Sequence, residues 1–242
     1  MPIPKFIDYL EKEKKYSPHT ITAYSKDLNL FSVFCADEFE ETSIDHIDYP
    51  LIRSWIVSLV QTGKSNRTIN RKISVLRSYY NFLLRVEVRA TNPLRKHAPL
   101  KETKKVQLPF TENEVSQLLN GDHFSDDYTG VLIKTIIETL YCTGMRRAEL
   151  IQLQWSAVDL DAGILRVIGK RNKERIIPII PSLEKQFQHY ILAVEEQFPS
   201  EESSFFFRSE KGKKLSENFV YKSVNEYFDR VSTKVKKKIG RA

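Results

Sequence analysis

Asn92-Pro93, Pro99 and Pro109 bracket a basic, irregular stretch from Lys96 to Lys105. Proline fixes φ, removes a backbone donor and drives the residue before it out of the helical region. Runs of like charge add repulsion. Regular structure is therefore not expected to pass through this segment, and the chain is predicted to fold as two bodies. These are 1–92, a basic linker over 93–109, and 110–242. A hydrophobic content of 41% with 11% aromatics is enough to fill two cores.

The first body reads as helices. Ser17 can cap a helix that has Pro18 in its first turn, and Ile21, Tyr24, Leu28, Phe31 and Cys35 then form one apolar stripe. A second helix is predicted from Pro50 through Leu59, ending near Gly63. A third, from Asn66 to about Leu84, places Ile69, Ile73, Leu76, Tyr80 and Leu83 on one face. Arg67, Arg71, Ser74, Ser78, Asn81 and Arg85 fall on the other. Apolar groups inward with cations and hydroxyls outward is the layout that phosphate contacts require.

The second body is predicted to be α+β. Thr111 and Glu114 have capping-box spacing, and Gly130 to Leu140 is an apolar helix ending in the turn Thr143-Gly144. Met145 to Leu153 is a further short helix. Ile164–Ile168 and Arg175–Ile180 are β-branched runs flanking the polar turn GKRNKE, which predicts a hairpin. Helices over 182–198 and 216–231 follow, with Phe205 to Phe207 as a short buried strand or wedge between them.

The net charge of +7 says less than its distribution. From Tyr49 to Val86 there is no acidic residue, while Arg53, Lys64, Arg67, Arg71, Lys72, Arg77 and Arg85 all lie there. The linker adds Lys104 and Lys105, and the chain ends in Lys234, Lys236, Lys237, Lys238 and Arg241. Such clusters form the footprint of a polyanion partner, and a basic linker could follow that partner between two binding halves. The competing reading is a set of solvated lysine faces. No apolar run approaches the roughly 20 residues needed to span a bilayer, and the N-terminus lacks a secretory layout. Cys35 and Cys142 sit in apolar helical contexts without a CxxC pair, which predicts burial in a reducing cytosol.

The densest chemical signal is Leu140-Tyr-Cys-Thr-Gly-Met-Arg-Arg-Ala-Glu-Leu. It puts Arg146 just past a glycine turn at a helix start, where unpaired N–H groups and a planar guanidinium suit phosphate oxygens. Glu149, three residues on, can hold Arg146 in one rotamer. Arg147 points about 100° away. An ordinary helix-start ion pair fits the same residues.

T-G-M-R-x-x-E-L followed by V-I-G-K-x-N-K-E-R-x-x-P resembles, in order and spacing, the two motifs of Xer-type tyrosine recombinases of the phage-integrase family. S-P-H-T-I-x-A-Y-S-K-D-L-x-x-F resembles the start of that family's core-binding domain, and Asn66 to Leu84 with Asn92-Pro93 its end. The resemblance implies an all-α, SAM-like core-binding domain followed by an α+β catalytic domain. It implies cleavage and rejoining of double-stranded DNA through a 3′-phosphotyrosyl intermediate, in tetramers on DNA, with no cofactor, metal, membrane or small-molecule substrate. By the same resemblance Arg146 binds the scissile phosphate, Glu149 supports it and Lys170 protonates the departing 5′ oxygen. Arg67, Arg71, Ser74, Arg77, Lys104, Lys105, Lys173 and Arg175 are the expected DNA contacts, Arg175 and Lys173 as backbone contacts or structural groups. The expected place is the bacterial cytoplasm, with the nucleoid.

The family's later motifs are a His-x-x-Arg pair, a second His or Trp, and the tyrosine nucleophile. None of the five histidines is followed three residues on by arginine. Tyr221 and Tyr227 precede the place where those motifs belong, so neither is expected to be the nucleophile. The expectation is a C-terminally truncated recombinase that binds DNA without cleaving it. The alternative is a DNA-binding module or regulator of recombination sites with no catalytic role.

Overall fold

The computed structural model describes residues 2–102, 109–169, 173–200 and 203–231. Lys104, Lys105, Lys170 and the basic residues after Val231 lie outside them. The chain divides into two compact units, Met1–Lys105 and Val106–Ala242.

Unit 1 is helical. It comprises α1 (Pro2–Asp8), which runs on into a π turn (Tyr9–Glu13), then α2 (Pro18–Phe39), α3 (Tyr49–Gln61) and α4 (Asn66–Arg85). Ser17 and Ser65 cap α2 and α4 by accepting from the backbone N–H groups of Thr20 and Thr68, each satisfying a donor that the helix itself cannot. The short N-terminal helix is an addition to the three that apolar spacing marks out. Phe6 and Leu10 fix it in the core, Phe6 lying 5.3 Å from the Tyr79 ring.

Helix α4 packs against α1, α2 and α3, so it buries more than one stripe. Ile69, Ile73, Leu76, Tyr80 and Leu83 are all buried, and so are Val75, Tyr79, Phe82 and Lys72. The Lys72 ammonium reaches back to the buried Asp27 carboxylate on α2 at 2.7 Å. Arg71 also donates to Asp27, at 2.5 and 3.2 Å, with its side chain 51% exposed. Arg71 is therefore outward as expected, and in addition its guanidinium is paired with Asp27. Asp27 is a buried carboxylate that needs a counter-charge, and Arg71 supplies part of it.

Arg77 is half-buried. Its guanidinium donates to the carbonyl of His97 at 3.1 Å. Residues 93–102, part of the expected linker over 93–109, run antiparallel along α4 and, with Asn92, are tied to it by polar side chains. Asn92 meets Asn81 at 2.7 Å, Asn70 brackets Leu100 by accepting from its N–H and donating to its carbonyl, and Asn66 donates to the Lys101 carbonyl at 2.8 Å. Leu94 anchors this strap in the unit 1 core. Prolines rule out helix and strand here but leave backbone carbonyls free to accept from a neighbour.

Unit 2 contains α5 (Glu112–Asn120), α6 (Tyr128–Thr143), α7 (Arg147–Gln152), β1 (Val158–Asp159), β2 (Ile164–Ile168), β3 (Glu174–Pro178), α8 (Pro181–Gln197) and α9 (Glu217–Val231). The Thr111–Glu114 capping box is present in both directions. The hairpin forms as predicted, with Leu165 opposite Ile177 and Ile168 opposite Glu174, and β1 adds a third antiparallel strand. Leu165, Val167 and Ile177 face a core shared with α6, α8 and α9, where Phe206 and Phe207 are buried beside Tyr190. Phe205 bridges Gln154, so the triple-phenylalanine segment is a single β-bridge and wedge. Among the described residues no helix is long and apolar enough to cross a membrane.

Replacing Asn70 with Ala removes three hydrogen bonds to Leu100 and Glu102. It should cost about 1 kcal/mol, and amide exchange at Leu100 should accelerate selectively. Unchanged protection at Leu100 would contradict the strap.

Candidate active site

The site is built where α6 ends. Gly144 adopts φ +60°, a left-handed conformation that closes the helix and that side-chain-bearing residues rarely take. The turned chain buries Met145, and Arg146 follows as the extended N-cap of α7. Burial on one side of Arg146 and a helix on the other leave its guanidinium pointing outward, 58% exposed.

Glu149 lies one turn along α7 with its side chain only 6% exposed. Among the described residues its carboxylate receives four hydrogen bonds. Oε2 accepts from the Arg146 backbone N–H at 2.7 Å and from Arg175 Nη2 at 2.8 Å. Oε1 accepts from Arg146 Nη1 at 2.8 Å and Arg175 Nη1 at 2.9 Å. The Arg146 N–H, expected to be free for a phosphate, is thus already used. Anion recognition at this residue falls to the guanidinium.

Arg175, expected as a DNA backbone contact or a structural group, turns its guanidinium fork onto Glu149 from β3. The signal was in the period of two: Arg175 shares the inner face of β3 with Ile177, while Glu174 and Ile176 face out. Lys173 is exposed at the foot of the turn, and its carbonyl accepts from Gly169 N at 2.8 Å. Arg147 is drawn to Glu217 at the start of α9, at 2.6 Å. Lys170 is outside the described residues. Tyr227 is buried in α9, stacked on Phe124 at 4.7 Å with the Arg230 guanidinium over its ring, which is packing rather than nucleophilic exposure. In unit 1, Arg67 and Ser74 are exposed on α4 as expected.

Comparison with known proteins decides the family. The model of the phage integrase N-terminal SAM-like domain matches residues 3–87, and that of the phage integrase family matches residues 109–239. The chain belongs to the phage integrase family. Its relatives include the tyrosine recombinase XerD of Staphylococcus haemolyticus (strain JCSC1435), 33% identical over 226 residues, which cover 93% of this chain and 76% of that protein. Among solved structures, XerH site-specific recombinase bound to palindromic difH substrate matches with a TM-score of 0.73 at 18% identity, over 98% of this chain and 69% of that one. A lambda integrase tetramer bound to a Holliday junction matches with a TM-score of 0.67 at 14% identity, over 97% and 66%. The fold of this phage-integrase chain is accordingly the two-domain one: a helical SAM-like domain, then an α+β integrase domain.

Within the integrase domain the Arg146–Glu149–Arg175 cluster carries a net charge of +1, two guanidiniums against one carboxylate. The hydrogen bonds from Arg175, followed by those from Arg146, hold the Glu149 carboxyl down at about 2, against the upward pull of its burial. A depressed folded-state value means that this group stabilises the protein fully above the ordinary 4.5 and loses that contribution as pH falls toward 2. The loss should be on the order of 3 kcal/mol. Denaturant titrations across this acid range should show the slope in the wild type and a flatter one in Glu149→Gln. Equal slopes would remove Glu149 from the acid response.

Proposed function

We propose that this chain binds duplex DNA and that Arg146 engages a non-bridging oxygen of a phosphodiester, as the first arginine of tyrosine-recombinase strand exchange. The observation that carries this reading is an exposed guanidinium fixed along one edge by a buried carboxylate whose charge a second arginine offsets. Such a group keeps its direction within a cluster that stays net positive. Electrostatic stabilisation of phosphoryl transfer needs both.

In the complete reaction a tyrosine oxygen attacks the phosphorus, a 3′-phosphotyrosyl bond forms and the 5′ oxygen departs with a proton. Lys170, matched by the family motif, is assigned as the donor of that proton. Arg67, Ser74 and Lys173 are assigned to the DNA backbone. Arg71 can contribute through the part of its guanidinium that Asp27 leaves exposed. Other protomers on DNA are the expected partners, and the bacterial cytoplasm the expected place.

The 242 residues contain neither a His-x-x-Arg pair nor a tyrosine beyond one. A polypeptide of this sequence should therefore form no covalent adduct with a nicked suicide substrate, and a gel-stable protein–DNA species would overturn that expectation. The second reading is DNA binding without strand cleavage, which the buried packing of Tyr227 favours for this polypeptide. Both readings require binding. Arg67→Ala should lower the slope of log K against log salt by about one unit for each phosphate that Arg67 neutralises. An unchanged slope in a filter-binding titration would remove that face of α4 from the interface.

A further inference from the structure

We infer that Arg175 is a positioning residue for Arg146, acting through Glu149 to keep that guanidinium aimed and its surroundings net positive. The inference rests on the reading of Arg146 as a phosphodiester ligand.

The first support is saturation. A carboxylate offers roughly four acceptor sites, and among the described residues the bonds on Glu149 come from two arginines, two bonds each. The two from Arg146 arise within the carboxylate's own helical turn. The two from Arg175 arise 26 residues away in sequence, on a strand whose five residues are all paired with β2. The fork of Arg175 fixes the plane of the carboxylate from a rigid element, and that plane sets where Arg146 Nη1 lies.

The second support is charge. Arg146 and Glu149 alone would sum to zero, and a buried carboxylate beside a phosphate ligand would repel the phosphate. Arg175 returns the cluster to a net positive charge. The third support is space. A methyl group added at Gly169 would meet Arg175 Nη1 at 3.3 Å and Glu149 Oε1 at 3.4 Å. The first contact is tight and asks the hydrogen-bonded guanidinium to give by a few tenths of an ångström, while the second is ordinary, so the hairpin passes this cluster at close range. A lysine at 175 would preserve charge but, as a point donor, could not bridge both oxygens in one plane.

A double-mutant cycle on the 242-residue chain tests this, with duplex DNA affinity as the readout. Arg146→Ala and Arg175→Gln should each weaken binding roughly tenfold, and the double variant should be no weaker than Arg146→Ala alone. Additive losses would make Arg175 an independent DNA contact or a general structural residue, and no loss at all in Arg175→Gln would make it a bystander; each overturns the inference.

A second measurement needs no DNA. The 15N guanidinium resonance of Arg146 should shift in Arg175→Lys and in Gly169→Ala, both of which retain all charges, while near-ultraviolet circular dichroism stays native. An Arg146 signal unmoved in natively folded variants overturns the inference whatever the DNA result. If Arg146→Ala binds duplex DNA as the wild type does, the phosphodiester reading fails instead, and the resonance alone decides whether Arg175 positions Arg146.

Discussion

The Glu149 carboxylate is the constraint around which unit 2 is arranged. Burying a charge is expensive unless every lone pair is met. Meeting this one requires a left-handed glycine at 144, a helix beginning at 147 and a strand bringing Arg175 inward. Each of those local choices is ordinary alone. Together they leave one guanidinium edge outward and spare.

Unit 1 repeats the device with different parts. Asp27 is buried on α2 and receives Lys72 and Arg71 from α4. In both units a buried carboxylate draws two cations from chain segments that include a distant one, and one cation remains half exposed. The arrangement counts as two positives and one negative each time. It gives a surface charge that stays where the fold puts it, unlike a lysine on a loose turn, which gives up rotamer freedom whenever it binds.

This contrast explains what could be read without coordinates. Ser17-Pro18, the Thr111–Glu114 box and the β-branched run in 164–168 are local signals, written within a few residues, and the corresponding elements formed. The family motif around Arg146 is local as well. The partners of Arg71, Arg77 and Arg175 are set by tertiary packing instead. Asp27 precedes the acid-free stretch by more than twenty positions, so a window scanning for basic runs saw only cations. Reading α4 as two faces held, since Arg67, Arg71, Ser74, Asn81 and Arg85 are exposed and Ser78 is half-buried. What spacing alone did not show is that its asparagines and Arg77 also tie down the strap. The alternation in β3 did hold the clue to Arg175, but an arginine on an inner face has meaning only once the buried acid opposite it is known.

The strap has a consequence for how this chain can vary. Asn66, Asn70 and Arg77 grip main-chain carbonyls and one amide of residues 97, 100 and 101, not their side chains. Any residue except proline at 100 offers the same atoms, whereas the gripping side chains on the helix have no substitutes of equal reach. Drift in the sequence is thereby allotted unequally: Arg95, Lys96 and Lys101, all exposed, can exchange charge for neutrality without loosening the segment, while the helix positions beneath them are held. Electrostatic character along this edge is free to evolve on a backbone path that does not.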